Sequence, residues 1–284
     1  ESPYLFVLGV AQDAGYPQAG CYQQHCMPGW ADPRLERSAT AVALIDPQAK
    51  ATYLFEATPH LPRQLYKLEQ QAKDFALSGV FLTHAHIGHY AGLMFFGHES
   101  MGASNVPVFA MPRMMDYLGT NGPWSQLVAY NNIALRPLAH NRTENLSGLG
   151  VTPFLVPHRD EFSETVGYSI QGPNKTALFI PDINKWSVWE RDIAEVIKTV
   201  DYALLDATFF GAGELPGRDM SRVPHPLVTE TMAALAGLGP EQRKKVWFIH
   251  MNHTNPLLDP KSEEAMLVRA AGYNIATEAT RLDL

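Results

Sequence analysis

Short apolar runs bounded by Pro, Gly, Asp and Asn recur along the chain and alternate with stretches of helical spacing. Tyr4–Leu8, Ala41–Ile45 and Thr52–Glu56 read as strands, the last two joined by the turn-like DPQAK. HLPRQLYKLEQQA sets Leu61, Leu65 and Leu68 at the spacing of one helix face. GVFLTH predicts a buried strand, followed by a helix from about Tyr90. VPVFAMP reads as a strand and PRMMDYLGT as a helix, and IALRPL, VTPFLVPH, VGYSIQG and TALFIPD follow as strands. The last third alternates: VWERDIAEVIKTV helix, DYALLDATFF strand, PLVTETMAALAGL helix, KVWFIH strand, SEEAMLVRAAG helix, YNIATEA strand. Such a pattern predicts an α/β architecture of two packed sheets with helices outside. No long linker, low-complexity tract or short repeat divides it, so a single domain over 1–284 is expected.

Composition narrows the partner more than the fold. With 46% hydrophobic and 18% charged residues the chain is ordinary for a globular enzyme. Apolar runs such as Val80–Leu82 and Ala177–Ile180 are far too short to span a bilayer. A net charge of -7, with no Lys/Arg run, argues against a nucleic-acid backbone and leaves a small molecule as the expected substrate. No feature of the pattern sets an oligomeric state. The opening ESPYLF lacks Met, as a mature chain does after signal removal; this points to a periplasmic or secreted protein, with a cytoplasmic one still open. The two cysteines, Cys21 and Cys26, would close a small disulfide loop in an oxidising compartment. In a reducing one they would stay free thiols or, with His25, contribute to a structural zinc site whose fourth ligand no neighbouring residue supplies.

The candidate chemistry lies at strand ends. THAHIGHYAGL crowds His84, His86 and His89 into six residues, and three imidazoles so close repel unless a metal or other partners hold them. His158 ends VTPFLVPH, Asp182 ends TALFIPD, Asp206 lies late in YALLD, and His250 ends KVWFIH. His84 and His86, two apart, point to one side if their strand persists. Sites in α/β sheets gather where strands run out. Imidazoles with a carboxylate suit an open catalytic zinc site, whose bound water approaches a neutral pKa. As plain structural residues, Asp182 and Asp206 would cap helices, and His60, His98 and His140 would be hydrogen-bonded core histidines. His253 is a candidate proton donor to a leaving group, or else a loop histidine; His225 is a catalytic candidate that would reach the site or merely begin a helix. Trp186 and Trp189 read as helix packing, and AQDAGYPQ as a turn that lines the pocket mouth with Asp13.

THAHIGHYAGL resembles the H-x-H-x-D-H signature of the metallo-β-lactamase superfamily, and VPH, IPD and FIHMNH resemble its downstream ligand motifs in order. VLGVAQDAGYPQAGC, LLDATFF, DMSRVPHPL and HMNHTNPLL are similar to its pyrroloquinoline quinone biosynthesis protein B branch. The resemblance implies a four-layer αββα sandwich with the metal site at one edge of the two sheets. It implies a first site of His84, His86 and His158, a bridging Asp182, and His89 and His250 in a second site. Branch members in that cofactor pathway are linked to iron-dependent oxidation of a tyrosine-like substrate. Their signature lacks a full histidine clasp where His84 and His86 stand here.

Gly88 departs from the motif, whose aspartate would bind the second metal. With Asp182 as the only anionic ligand, two dications would repel, so one tightly held zinc and a second weak site are expected, with iron or manganese as alternatives. Gly88 would otherwise make room for substrate, or let Asp13 or Asp206 swing in. The leading reading is a metallo-hydrolase acting on a small ester, lactone or phosphodiester, with Asp182 and a nearby histidine managing protons. The second is an Fe(II) oxygenase built on His84, His86, His158 and Asp182. The third is a metal-stabilised binding protein in which Gly88 marks decay.

Overall fold

The computed structural model of the chain describes residues 2–284; Glu1, where the methionine-free start was read, lies outside the described residues. Alternation with a period of two builds the layers. In β1 (Tyr4–Gly9), Leu5 and Val7 enter one buried cluster, while Tyr4, Phe6 and Leu8 enter another on the opposite face. β2 (Ala41–Asp46) and β3 (Ala51–Phe55) repeat the division: Val42, Leu44, Tyr53 and Phe55 on one side, Ala43, Ile45 and Leu54 on the other. A strand buried on both faces lies in the middle of a layered domain.

β4 (Ala76–Phe81), β5 (Val106–Ala110) and β6 (Ile133–Pro137) extend this sheet in parallel from β3. The second sheet is formed by β7 (Glu144–Leu146), β8 (Leu149–Leu155), β9 (Val166–Gln171), β10 (Thr176–Ile180), β11 (Tyr202–Asp206), β12 (Val246–Ile249) and β13 (Asn274–Ile275). β14 (Arg281–Asp283) returns to pair with β1, so among the described residues each sheet has seven strands.

An aromatic block joins the sheets: Phe55 meets Tyr168 edge-on at 5.3 Å and Phe179 at 6.1 Å, and Phe81 meets Tyr168 at 5.7 Å. Each such ring contributes about 1.5–3 kcal/mol through burial. Leu61 and Leu68 of the helix Leu61–Gln71, with Met114 and Leu118 of Pro112–Thr120, cover the outer face of the first sheet. Ile193 and Ile197 of Ile193–Lys198, Val228 of Val228–Ala234 and Val268 of Glu263–Ala270 cover the second. The expected αββα sandwich is the observed one.

Several elements differ from expectation at their ends. The GVFLTH strand stops at Phe81, because backbone bonding moves from β5 to the other sheet: Leu82 N still donates to Phe109 O, but Val166 N donates to Thr83 O. The helix expected from Tyr90 begins earlier, as Ile87–Tyr90, and tightens into a 3-10 turn through Phe96. The VWERDIAEVIKTV helix is confined to Ile193–Lys198, since the Asp192 carboxylate caps Ala194 N and fixes the start. Of YNIATEA only Asn274–Ile275 pairs. The parallel run β10–β11–β12 carries Asp182, Asp206 and His250 to one edge of the second sheet.

Candidate metal centre

His84, His86 and His89 leave the end of β4 on a loop and one helical turn, yet their rings converge. His84 Nε2 lies 2.8 Å from His86 Nδ1 and 3.4 Å from Asp182 Oδ2. Across the seam, His158 Nε2 lies 3.2 Å from Asp182 Oδ1. The ligand-capable atoms of His84, His86, His158 and Asp182 all fall within 4.8 Å of one another. A second set, Asp13, His89, Asp182 and His250, meets the same limit. Asp182 therefore belongs to both, with Oδ2 3.6 Å from His89 Nε2.

Each ring is held from behind. His84 Nδ1 pairs with Thr83 Oγ1 at 2.8 Å, His86 Nε2 with Glu161 Oε2 at 2.8 Å, and His158 Nδ1 with Asn184 Oδ1 at 3.2 Å. His250 Nδ1 pairs with Thr208 Oγ1 at 3.0 Å, and His89 Nδ1 faces the fully buried Glu56 carboxylate at 3.5 Å. Such outer partners fix the tautomer and aim the opposite nitrogen inward. Three of the non-glycine residues with positive φ stand here: Asp13 (26°), Glu56 (80°) and His250 (69°). Backbone strain of this kind concentrates at functional sites.

His84 Nε2 and His86 Nδ1 hydrogen-bond only with each other, and most of the other inward atoms have no hydrogen-bond partner. Asp13 Oδ1, His89 Nε2, His158 Nε2, Asp182 Oδ1 and His250 Nε2 are all buried without a hydrogen bond. Leaving such groups unmade costs about 1–3 kcal/mol each. Convergent, orphaned nitrogen and carboxylate donors fit metal ions. Electrostatics prepares the donors too. Burial, then the nearby His89, pushes the His84 pKa well below its usual value, and burial lowers that of His86, so both rings keep a lone pair free. Burial alone would raise Asp182, but His158 and His225 hold its carboxyl well below the usual range. His89 differs: burial opposes its charged form, but Glu56, Asp13 and Asp182 outweigh it and raise its pKa well above normal, so an ion at His89 Nε2 would have to displace a proton.

Gly88 does not open room for substrate. A Cβ there would lie 2.3 Å from Asp13 Cα and 2.8 Å from Asp13 Cγ. The expectation that Asp182 is the sole carboxylate of the second set fails for the same reason: Asp13 Oδ1 stands 3.1 Å from His89 Nε2 and 3.4 Å from His250 Nε2. Asp13 thus faces the donors rather than simply lining a mouth. Asp206 neither swings in nor contacts solvent. It is fully buried, accepting from Thr208 N, Thr208 Oγ1 and Ile183 N. Its Oδ2 also holds His225 Nδ1 at 2.9 Å, while the same nitrogen lies 3.2 Å from Asp182 Oδ1. Burial disfavours a charged His225, but Asp206 and Asp182 push its pKa up to about 10.

His253 turns away from this centre. Its ring lies 5.5 Å from that of His25, and Cys21, His25, Cys26 and His253 bring their ligand atoms within 4.8 Å. The fourth ligand that local sequence does not supply comes from the far end of the chain. Cys21 and Cys26 are free thiols, so the disulfide expectation is not met; Cys21 Sγ instead lies 3.4 Å from His25 Nε2. Two thiols and two imidazoles match a closed structural zinc set. Of the histidines expected in the core, only His60 is half-buried, its Nδ1 accepting from Ala39 N; His98 and His140 are exposed, although His140 Nδ1 accepts from Leu155 N. Trp189 packs on Phe154.

A family model described as the β-lactamase superfamily domain matches residues 44–251. The chain belongs to the metallo-β-lactamase superfamily. Within it, the chain is similar to coenzyme PQQ synthesis protein B of Methylobacterium sp. (strain 4-46), 26% identical over 306 aligned positions that cover 98% of this chain and 99% of that protein. The crystal structure of Zn2+-bound PqqB from Methylobacterium extorquens superposes with a TM-score of 0.82 at 25% identity, over 99% of this chain and 100% of that one. These place the superfamily member in the PqqB-like branch. A diphosphatase of the PhnP family, at 21% identity and a TM-score of 0.69 over 100% and 98% of the two chains, shares the metallo-β-lactamase fold. No helix among the described residues is long and apolar enough to cross a membrane.

Glu56, Glu161, Thr83, Asn184 and Thr208 escaped the sequence reading. Glu56 ends a strand with a charged residue after an apolar run, a signal like that of Asp182; Glu161 sits in a polar loop with no pattern to mark it.

Proposed function

We propose that the protein is a metal-dependent hydrolase of small ester, lactone or phosphodiester substrates. One observation carries this: two sets of convergent imidazole and carboxylate groups meet on Asp182, and five of their inward atoms are buried without a hydrogen bond. Zinc suits both sets, and iron or manganese would fit the same donors. A bound ion supplies a hydroxide nucleophile near neutral pH and polarises the bond under attack.

The chain's own residues do the rest. His84 Nε2, His86 Nδ1 and His158 Nε2 would hold one ion, with Asp182 shared toward the His89 and His250 side. Asp206, pinned by three donors, orients His225 Nδ1 and keeps that ring protonated beside Asp182. His225 therefore takes the proton-donor role toward a departing oxygen. Cys21, His25, Cys26 and His253 would hold a separate structural ion. His253 is then no proton donor.

Zinc in the M. extorquens PqqB structure supports the choice of metal. A second reading, an iron-dependent oxygenase, draws on the 26% identity with coenzyme PQQ synthesis protein B. The complete His84–His86 clasp favours hydrolysis over it. The experiment is elemental analysis of protein purified anaerobically without an affinity tag, followed by assays with aryl esters, lactones and bis(p-nitrophenyl) phosphate. Zinc together with turnover that disappears in His84→Ala is expected. Iron, oxygen uptake and no hydrolysis would replace this reading with the oxygenase.

A further inference from the structure

We propose that Asp13 is a metal ligand relocated from the histidine motif, and that Asp13 and Gly88 are one compensated exchange. The proposal rests on the metal-site reading above. In the motif that THAHIGH resembles, an aspartate occupies the position of Gly88. Here the turn Gln12–Gly15, closed by Gly15 N on Gln12 O, carries a carboxylate into the same space. An added Cβ at 88 would meet Asp13 Cα, Cβ and Cγ at 2.3, 2.6 and 2.8 Å. No side chain at 88 is compatible with Asp13 where it stands. Glycine is the residue that the relocation requires.

Three further observations point the same way. Asp13 Oδ1 is buried, lacks a hydrogen bond, and faces His89 and His250 at 3.1 and 3.4 Å. Asp13 holds φ at 26°, a conformation uncommon outside glycine. The turn is anchored on the His250 segment itself, since Gln12 N donates to Met251 O and Met251 N to Val10 O. Asp13 and His250 are thus delivered by two backbone stretches bonded to each other. The second set keeps two carboxylates, Asp13 and Asp182, enough anionic charge to hold a second divalent ion.

The test compares zinc stoichiometry and affinity, by equilibrium dialysis and elemental analysis, in the full chain and four variants. Asp13→Asn keeps the shape and removes the charge, and Asp13→Gly suits the backbone. Both should bind one zinc fewer per chain, or bind it more than about 100-fold more weakly, beyond the 10–100-fold typical of outer partners. Gly88→Asp alone should melt earlier than wild type. Asp13→Gly combined with Gly88→Asp should regain the ion and melt above Gly88→Asp alone, though below wild type, because the Cα of residue 13 still stands 2.3 Å from the new Cβ and the Gln12–Gly15 turn must shift. Wild-type zinc binding by both Asp13 variants would overturn the proposal, as would a folded double variant that fails to regain the ion. Failure of the underlying reading looks different: wild type would bind zinc only through the thiol cluster, and His84→Ala would change nothing.

Discussion

Glu214 offers a stringent test of the electrostatics around the His225 loop. Its carboxylate accepts from Phe210 N and Thr254 Oγ1, tying the loop that presses Phe209 on His225 to the segment after His253. Burial pushes its pKa up from 4.5 to about 7. Below pH 4.5 the folded and unfolded chains both hold the proton. As pH rises from there toward 7, the unfolded chain ionises first, so stability falls across that window and levels off above it. At about 1.4 kcal/mol per pH unit the loss approaches ~3 kcal/mol, with ~1–3 kcal/mol expected once partial water access is allowed for. Glu214→Gln keeps the geometry: Oε1 accepts from Phe210 N, and Nε2 donates to Thr254 Oγ1. Urea denaturation at pH 4.5 and 8 should show the variant equal to wild type at the lower pH and more stable by about 1–3 kcal/mol at the higher. An unchanged difference between the two pH values, or a variant weaker at pH 8, would refute the reasoning.

Two other substitutions test the centre. Glu161→Ala removes the carboxylate behind His86; because Glu161 is 45% exposed, zinc affinity in a chelator competition should fall by about 10-fold, the low end of the range for such partners. His253→Ala should cost one zinc per chain at the thiol cluster while leaving hydrolysis within about 3-fold of wild type, far short of the 100-fold or more typical of losing a general acid.

The strand-end donors were legible because apolar runs mark buried strands, and strands that run in the same sense, as β10, β11 and β12 do, end at one edge. His84, His158, Asp182 and His250 each follow such a run, and the structure brings them together. Asp206 follows the same rule yet serves one shell further out, since burial and its three backbone and hydroxyl donors decide its role. What stayed hidden depends on contacts between distant segments. Glu161 reaches His86 across 75 residues, and Cys21 shares its cluster with His253. The Gly88 departure was visible, and Asp13 and Asp206 both stood open as its answer. That Asp13 fills the space follows from the packing of the β1 loop on the histidine turn, a fact with no local pattern.

The donors come from both sheets. Asp13 and His84, His86 and His89 follow β1 and β4; His158, Asp182 and His250 follow β8, β10 and β12. An ion held there is a rivet driven through the seam, and the aromatic block of Phe55, Phe81, Tyr168 and Phe179 is the sheet metal on either side of it. Slippage between the plates would shear the ligand set, so core packing well away from the donors is felt as metal affinity, and metal loading as rigidity of the core.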